Sequence, residues 1–258
     1  MPPSPPVWLL RGMVSFCLLA TCFSFAEDKD KPTSTKTPPA PSRYVKLKEH
    51  DPNGIGKFYM GREIAHVMGA AGIPWLERPE REDEEAPTKL VEALQLKPGD
   101  VVADIGAGSG RLSFLMAKKV APSGTVYAVD LQPEMLQFIE RKRDQLKLTW
   151  LKTVKSTTKS TRLQPGILDL AIMVDVYHEF AFPYEMMLDI SKAMKPGGRV
   201  VLVEYRRENP EIPIKLVHKM SEVQVKKELG LPELELKWKE TIGVLPRQHI
   251  LVFEKQGK

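Results

Sequence analysis

A short hydrophobic strand that runs directly into three alternating glycines constrains this chain more than any other feature. The strand is predicted over Val101–Ile105, and Gly106, Gly108 and Gly110 follow it. Residues without a side chain let the backbone turn tightly at the end of a strand and approach a ligand closely. The pattern therefore predicts a strand, a ligand-binding loop and a helix in succession.

An acidic residue closes the next predicted strand, about twenty residues beyond the glycines. This strand covers Thr125–Val129, and Asp130 follows it. In parallel α/β folds, a carboxylate at this position binds the two hydroxyls of an adenosine ribose. The glycine loop and Asp130 together predict a nucleoside cofactor.

The glycine spacing separates two families of nucleoside-binding proteins. A nicotinamide dinucleotide site has the pattern Gly-x-Gly-x-x-Gly, which would need a third glycine where this chain has Arg111. The segment from Asp104 to Gly110 instead resembles motif I of the class I S-adenosylmethionine-dependent methyltransferases. A nicotinamide oxidoreductase is therefore the less favoured interpretation.

The resemblance extends from about Thr88 to the C-terminus. It includes Asp130 at the tip of the second strand, a fourth strand near Leu168–Val174, and the segment Met194–Gly198 before the fifth strand. It implies an α/β fold with a doubly wound, Rossmann-like, seven-stranded sheet and S-adenosyl-L-methionine as the cofactor. We assign residues 88–258 to this domain.

The hydrophobic pattern beyond Thr88 alternates helices with strands and ends in two extended runs. We predict a helix after Pro213 that ends at Gly230, with Leu216, Val217, Met220 and Val223 facing inward. The two extended runs, Glu235–Ile242 and His249–Glu254, form a terminal antiparallel hairpin, which distinguishes methyltransferase sheets from dehydrogenase sheets. The other predicted strands are Leu148–Val154, Asp169–Val174 and Arg199–Glu204.

The resemblance also implies a set of cofactor contacts at the carboxyl ends of the strands. Gly106 and Gly108 are expected near the methionine portion of the cofactor, and Asp130 is expected at the ribose. The full predicted set is Asp104, Gly106, Ala107, Gly108, Gly110, Asp130, Leu131, Thr157 and Asp175.

One position departs from the family pattern. Methyltransferases of this class usually carry an acidic residue after the third strand, where it binds the adenine amino group. This chain has no carboxylate from Val154 to Thr161. Thr157, Thr158 or a backbone carbonyl is expected to substitute.

His178 is the predicted catalytic base, because it follows the fourth strand at the same edge of the sheet. His218 and Tyr205-Arg206 are weaker candidates for contact with the acceptor. No sequence spacing of histidines and carboxylates predicts a metal site. The segment Val174–Tyr177 also lacks the Asn/Asp-Pro-Pro-Tyr pattern, which argues against methylation of DNA bases or glutamine amides.

The N-terminal residues predict export. Arg11 precedes a short apolar run that ends in Ser24-Phe25-Ala26, which is typical of a signal peptide over residues 1–26. An uncleaved membrane anchor and a lipoprotein attached through Cys22 are the alternatives. Residues 27–43 are rich in Lys, Pro, Thr and Ser and predict a disordered linker. We expect a periplasmic or secreted protein, free or tethered, with no stable membrane insertion after cleavage.

Residues 44–87 are predicted to form a helical extension, with one helix over Phe58–Met68. In methyltransferases of this class, such an extension commonly folds over the cofactor as a lid. The alternative is a helix packed on the flank of the sheet, with the charged run that ends at Glu85 facing water.

Charge argues against a nucleic-acid partner. The formal net charge is +5, and it falls to +4 when the signal peptide and its one arginine are removed. The sequence therefore predicts a methyltransferase that acts on a small-molecule acceptor, with no prediction of its oligomeric state. Because S-adenosylmethionine is made in the cytoplasm, an exported, non-catalytic binding module on the same fold is the alternative.

Overall fold

The computed structural model describes residues 42–257 of the chain. The predicted signal peptide, and the predicted linker up to residue 41, lie outside the described residues. Within residues 42–257, no helix has the length and apolar composition needed to cross a membrane.

Within the part of the chain that the structure describes, ten strands form two sheets. The strands are β1 (Tyr44–Lys46), β2 (Gly54–Tyr59), β3 (Arg62–Ala65), β4 (Val101–Ile105), β5 (Thr125–Asp130), β6 (Leu151–Lys155), β7 (Leu168–Val174), β8 (Met194–Tyr205), β9 (Leu236–Ile242) and β10 (Gln248–Lys255). The larger sheet has seven strands in the order β6-β5-β4-β7-β8-β10-β9. Only β10 runs antiparallel to its neighbours, β8 and β9. The predicted seven-stranded sheet with a terminal hairpin is therefore confirmed.

Helices cover both faces of this sheet. They are α1 (Ile73–Leu76), α2 (Arg81–Glu85), α3 (Pro87–Ala93), α4 (Arg111–Val120), α5 (Pro133–Leu146), α6 (Pro183–Ala193) and α7 (Glu222–Leu229). Successive residues of the central strands enter opposite cores. Ala103 and Met173 pack with α6 and α7, whereas Val102 and Ile172 pack with α3, α4 and α5. Burial on both faces explains why these strands are continuously hydrophobic.

The position of the functional crevice follows from the strand order. The chain builds outward from β4 through β5 to β6 and then returns to place β7 on the other side of β4. The connections after β4 and β7 therefore diverge, and an opening forms between them at the carboxyl ends of the strands.

The helix predicted over Phe58–Met68 is wrong. This segment is a β-hairpin of β2 and β3, joined by a two-residue turn in which Met60 and Gly61 both have positive φ, at 48° and 100°. Such a turn matches the twist of paired strands. With β1, the hairpin forms a small antiparallel sheet, so the extension is mixed rather than helical.

The helix predicted from Pro213 to Gly230 is shorter than expected. Val217 and Met220 are buried as predicted, but Leu216 and Val223 are 54% and 76% exposed. Met220 forms an isolated bridge with Arg206, which requires extended backbone there. The helix begins only after Ser221, whose hydroxyl accepts a hydrogen bond from the Gln224 N–H at 3.1 Å.

A buried ion pair joins the extension to the main domain. The Arg62 guanidinium on β3 donates to both carboxylate oxygens of Glu228 on α7, at 2.7 and 3.1 Å. The Tyr177 hydroxyl also donates to Glu228 at 2.7 Å, and Arg62 reaches the backbone carbonyl of His178 at 3.2 Å. The extension thereby holds the segment that follows β7.

We expect Arg62→Leu to lower the free energy of unfolding by about 3 kcal/mol, because it leaves the buried Glu228 carboxylate without its cation. Urea unfolding followed by circular dichroism measures this loss. The double variant Arg62→Leu/Glu228→Leu should recover part of it. A double variant that is less stable than Arg62→Leu would contradict this interpretation of the pair.

Candidate functional site

A cavity of about 590 Å³ lies at the carboxyl ends of the central strands. All but one of the predicted site residues line this cavity. Those in the wall are Asp104, Gly106, Ala107, Gly108, Asp130, Leu131, Thr157, Asp175 and His178. Its volume lies within the range of small-molecule and cofactor sites. Gly110 is the exception, since it does not line the cavity.

The glycine loop and Asp130 meet directly. The Gly108 N–H donates to one oxygen of the Asp130 carboxylate at 2.9 Å, and the Gln132 N–H donates to the other at 2.8 Å. The N–H groups of Gly106 and Ala107 bind the carbonyl of Val129 at 2.8 and 3.0 Å. These hydrogen bonds fix the glycine loop against the end of β5, next to the Asp130 carboxylate.

Each of the three glycines has a different neighbour. All have positive φ, between 55° and 78°. A methyl group on Gly106 would lie 2.4 Å from the side chain of Val176, and one on Gly108 would lie 2.9 Å from Leu76. One on Gly110 would lie 2.7 Å from Ile139 of α5, so this glycine permits close helix packing rather than contact with a ligand.

A buried aspartate, Asp104, and a partly buried one, Asp175, lie at the ends of β4 and β7. Asp104 accepts a hydrogen bond from the Ser113 hydroxyl at 2.6 Å, and burial raises the pKa of its carboxyl group to about 6. Asp175 accepts from the Gln248 amide at 2.5 Å through Oδ2. Its Oδ1 has no hydrogen-bond partner among the described residues. Burial, with the charges of Glu85 and Glu204, raises the pKa of Asp175 well above its usual range.

The extension closes one side of the cavity. Leu76 lines the cavity, the Ser109 hydroxyl donates to Glu77 at 2.6 Å, and the Gln132 amide donates to the Met68 carbonyl at 2.8 Å. Opening and closing of this segment as a lid stays a prediction.

The charged run in the extension supplies a buried pair that sequence reasoning missed. Arg81 donates through Nε to Glu85 at 2.6 Å, and the two residues are only 7% and 4% exposed. Both line the cavity, and the Tyr205 hydroxyl donates to Glu85 at 2.8 Å. The four-residue spacing of Arg81 and Glu85 is the sequence signal for an ion pair within a helix. Charged residues on a solvated helix face have the same spacing, so this signal does not indicate burial.

The segment after β6 lines the cavity through Ser156, Thr157 and Thr158. The Thr157 hydroxyl accepts hydrogen bonds from the N–H groups of Lys159 and Ser160, at 3.2 and 3.0 Å. The Thr157 hydroxyl therefore serves mainly to stabilise the turn that Thr157 itself begins.

His178 lies on a 3₁₀ turn, Tyr177–Glu179, and is 2% exposed. Its Nδ1 lies 2.6 Å from Glu204 Oε2 on β8, and its Nε2 lies 3.2 Å from Nδ1 of His218. Glu179 Oε1 lies 3.9 Å from both imidazoles. The fold thus brings His218, a weaker candidate from the sequence, to the predicted base across 40 residues of chain.

Burial dominates the acid–base behaviour of this cluster. It lowers the pKa values of His178 and His218 to about 4, against the nearby charge of Glu179 in the case of His178. It raises the pKa of Glu179 to about 7 and that of Glu204 to about 8. Both imidazoles are therefore neutral at pH 7, and His178 is a weaker base than an ordinary histidine.

Comparison with known proteins agrees with this geometry. A sequence profile described as "Methyltransferase domain" matches residues 96–245, which is more than half of the chain. The chain belongs to this methyltransferase-domain family. A crystal structure of a SAM-dependent methyltransferase from Aquifex aeolicus has the same fold, with a TM-score of 0.68 and 23% identity, over 73% of this chain and 100% of that one.

Curated methyltransferases align over shorter segments. A protein-L-isoaspartate O-methyltransferase from Aeropyrum pernix is 44% identical over 50 residues, which is 19% of each chain. A ubiquinone/menaquinone biosynthesis C-methyltransferase from Cupriavidus metallidurans is 25% identical over 119 residues, which is 45% of this chain and 48% of that one. The alignments thus span less than half of either relative, and the two relatives' names differ in the acceptor.

The cofactor that this family implies, S-adenosylmethionine, fits the cavity. The molecule carries ribose hydroxyls, an ammonium group and a carboxylate. The wall offers Asp130 for hydroxyls, the unpartnered Oδ1 of Asp175 for an ammonium group, and Arg81 for a carboxylate. Each charged end of the cofactor therefore has a residue of suitable chemistry.

We expect Gly106→Ala to impair both folding and cofactor binding. A methyl group there adds a clash with Val176 to the strain of a left-handed backbone. Gly197→Ala is the matched control, since φ is +76° and nothing lies within 4 Å of the added methyl. The control should lose about 1–2 kcal/mol of stability, and Gly106→Ala about 1–3 kcal/mol more.

Urea unfolding and calorimetric titration with S-adenosylhomocysteine measure both effects. Affinity should fall at least about tenfold for Gly106→Ala and stay unchanged for Gly197→Ala. If Gly106→Ala and Gly197→Ala lost equal affinity for S-adenosylhomocysteine, this would contradict the close approach of the loop to the ligand.

Proposed function

We propose that the protein is an S-adenosylmethionine-dependent methyltransferase that acts on a small-molecule acceptor. The observation that carries this proposal is the Asp130 carboxylate, braced by the glycine loop, in the wall of the same cavity as His178. When bound, S-adenosylmethionine would supply an electrophilic methyl group on a sulfonium. The protein must then align the acceptor with it and exclude water.

In this proposal, Asp130 accepts hydrogen bonds from the ribose hydroxyls, and the backbone of Gly106–Gly108 lies against the amino-acid portion of the cofactor. Asp175 accepts from the ammonium group, with Asp104 beside it, and Arg81 binds the carboxylate. Burial raises the pKa values of Asp104 and Asp175, and the nearby positive charge of Arg81 partly opposes that rise in each.

Adenine recognition is proposed to rely on shape and backbone groups. Leu131 and Met135 supply apolar walls beside Ser156–Thr158. Because the Thr157 hydroxyl is used within its turn, we assign the adenine amino group to backbone carbonyls of this segment rather than to the side chain.

The acceptor is assigned to the end of the cavity that contains His178, Glu179 and His218. Ile55, Phe180 and Ile214 also line the cavity, and we assign them to the same end. A mostly apolar pocket with a few convergent polar atoms suits a small organic molecule. We propose that His178 contacts the acceptor, and its role as general base stays a prediction.

We expect Asp130→Ala to weaken S-adenosylhomocysteine binding by about 1.5–3 kcal/mol, the scale of lost hydrogen bonds to a charged group. Isothermal titration calorimetry measures this affinity. Asp169→Ala is the matched control, because Asp169 also accepts a backbone N–H, from Val101 at 2.9 Å, but at the opposite end of β4.

The control should bind S-adenosylhomocysteine as the wild type does. No binding by the folded wild-type protein would favour the non-catalytic module, for which the missing carboxylate after β6 is the supporting observation. Equal affinity in Asp130→Ala and the wild type would show that the ribose lies elsewhere.

Export of the protein is proposed from the sequence alone. Cell fractionation with N-terminal sequencing tests it, and a mature chain that begins at Glu27 is the expected result. A cytoplasmic protein that retains residues 1–26 would contradict it.

A further inference from the structure

Three possible metal ligands converge at the proposed acceptor end of the cavity. They are Nε2 of His178, Oε1 of Glu179 and Nδ1 of His218, and all three atoms lie within 4.8 Å of one another. The two nitrogens are 3.2 Å apart, and each lies 3.9 Å from the carboxylate oxygen. Ligands about 2.0–2.2 Å from a common ion are separated by about 3–3.5 Å, so only small side-chain shifts are needed.

The surrounding contacts orient these ligands in a way that is common at metal sites. The Nδ1 of His178 lies 2.6 Å from the buried Glu204 carboxyl group, which leaves Nε2 directed at the cluster. A carboxylate behind a metal-binding histidine fixes the imidazole and raises its basicity. The other oxygen of Glu179 accepts from the Met68 N–H at 3.2 Å, which holds this side chain in place.

The ligand set also leaves room for a further ligand. His178 is buried, Glu179 and His218 are partly buried, and all three line the cavity. Three protein ligands with a fourth position open to a pocket are typical of catalytic rather than structural sites. Two imidazoles and one carboxylate suit zinc, iron, cobalt or nickel better than magnesium or calcium.

We propose that His178, Glu179 and His218 bind a divalent transition-metal ion, with its open position facing the cavity. His178 then acts as a metal ligand rather than as the general base. The ion binds a donor atom of the acceptor, which narrows the acceptor to molecules that carry a metal-binding group such as a hydroxyl, thiol, carboxyl or amine. Metal binding itself does not depend on the proposed function, but this assignment of the acceptor does.

The direct test is titration of the chelator-treated, full-length protein with Zn²⁺ by calorimetry and with Co²⁺ by visible absorption. The wild type should bind one equivalent, and cobalt should give d–d bands without a thiolate charge-transfer band. His218→Ala should weaken binding by more than the roughly 10–100-fold expected from loss of a supporting group such as Glu204. Because His218 is partly exposed, this variant is expected to fold.

His66→Ala is the matched control, since His66 lines the same cavity, is exposed and does not belong to the cluster. It should bind metal as the wild type does, and Glu179→Gln should bind weakly. The proposal is overturned if the wild type binds no metal, or if His218→Ala retains wild-type affinity. Loss of binding in His66→Ala equal to that in His218→Ala would also overturn it.

Titration of the same metal-free samples with S-adenosylhomocysteine separates this proposal from the proposed function. A protein that binds S-adenosylhomocysteine but fails to bind metal in the first titration would overturn the metal site alone. Binding of metal without S-adenosylhomocysteine would overturn the proposed function and leave the metal site standing.

Discussion

The hydrogen bond from the Gly108 N–H to the Asp130 carboxylate connects the two halves of the proposed cofactor site. Parallel pairing of β4 with β5 places their carboxyl ends side by side, and this bond then fixes the loop of one strand against the acid of the other. A glycine at 106 is also required there, because β7 returns next to β4 and brings Val176 within 2.4 Å of any added methyl group. The shape of the cavity depends on these contacts.

Features that depend on local pattern could be predicted from the sequence. The strand Val101–Ile105 is observed with the predicted bounds, since its hydrophobic run and the glycines after it determine both ends. The terminal hairpin is recognisable because two extended runs are separated by a turn. Asp130 is found beside the loop because its position in a parallel sheet follows from the strand order. Most of the residues that line the cavity at the glycine loop and at Asp130 could therefore be predicted.

Contacts between distant segments could not be predicted in this way. A charged run gives no sign that Arg81 and Glu85 are buried together in the cavity wall. His218 has no sequence spacing that connects it to His178. It lies on a short 3₁₀ turn, Leu216–His218, rather than on the predicted long helix, and there its imidazole contacts that of His178. The hairpin of β2 and β3 could not be recognised because the apolar residues of Phe58–Met68 also fit a helical period. The positive φ angles of Met60 and Gly61 instead form a tight turn between two strands.

The most direct measurement of the central claim is a crystal structure of the protein with bound S-adenosylhomocysteine. The account predicts ribose hydroxyls within hydrogen-bond distance of Asp130, and the amino-acid portion between the glycine loop and Asp175. The sulfur should face the cluster of His178, Glu179 and His218. A ligand bound outside this cavity, or with its ribose away from Asp130, would contradict the account.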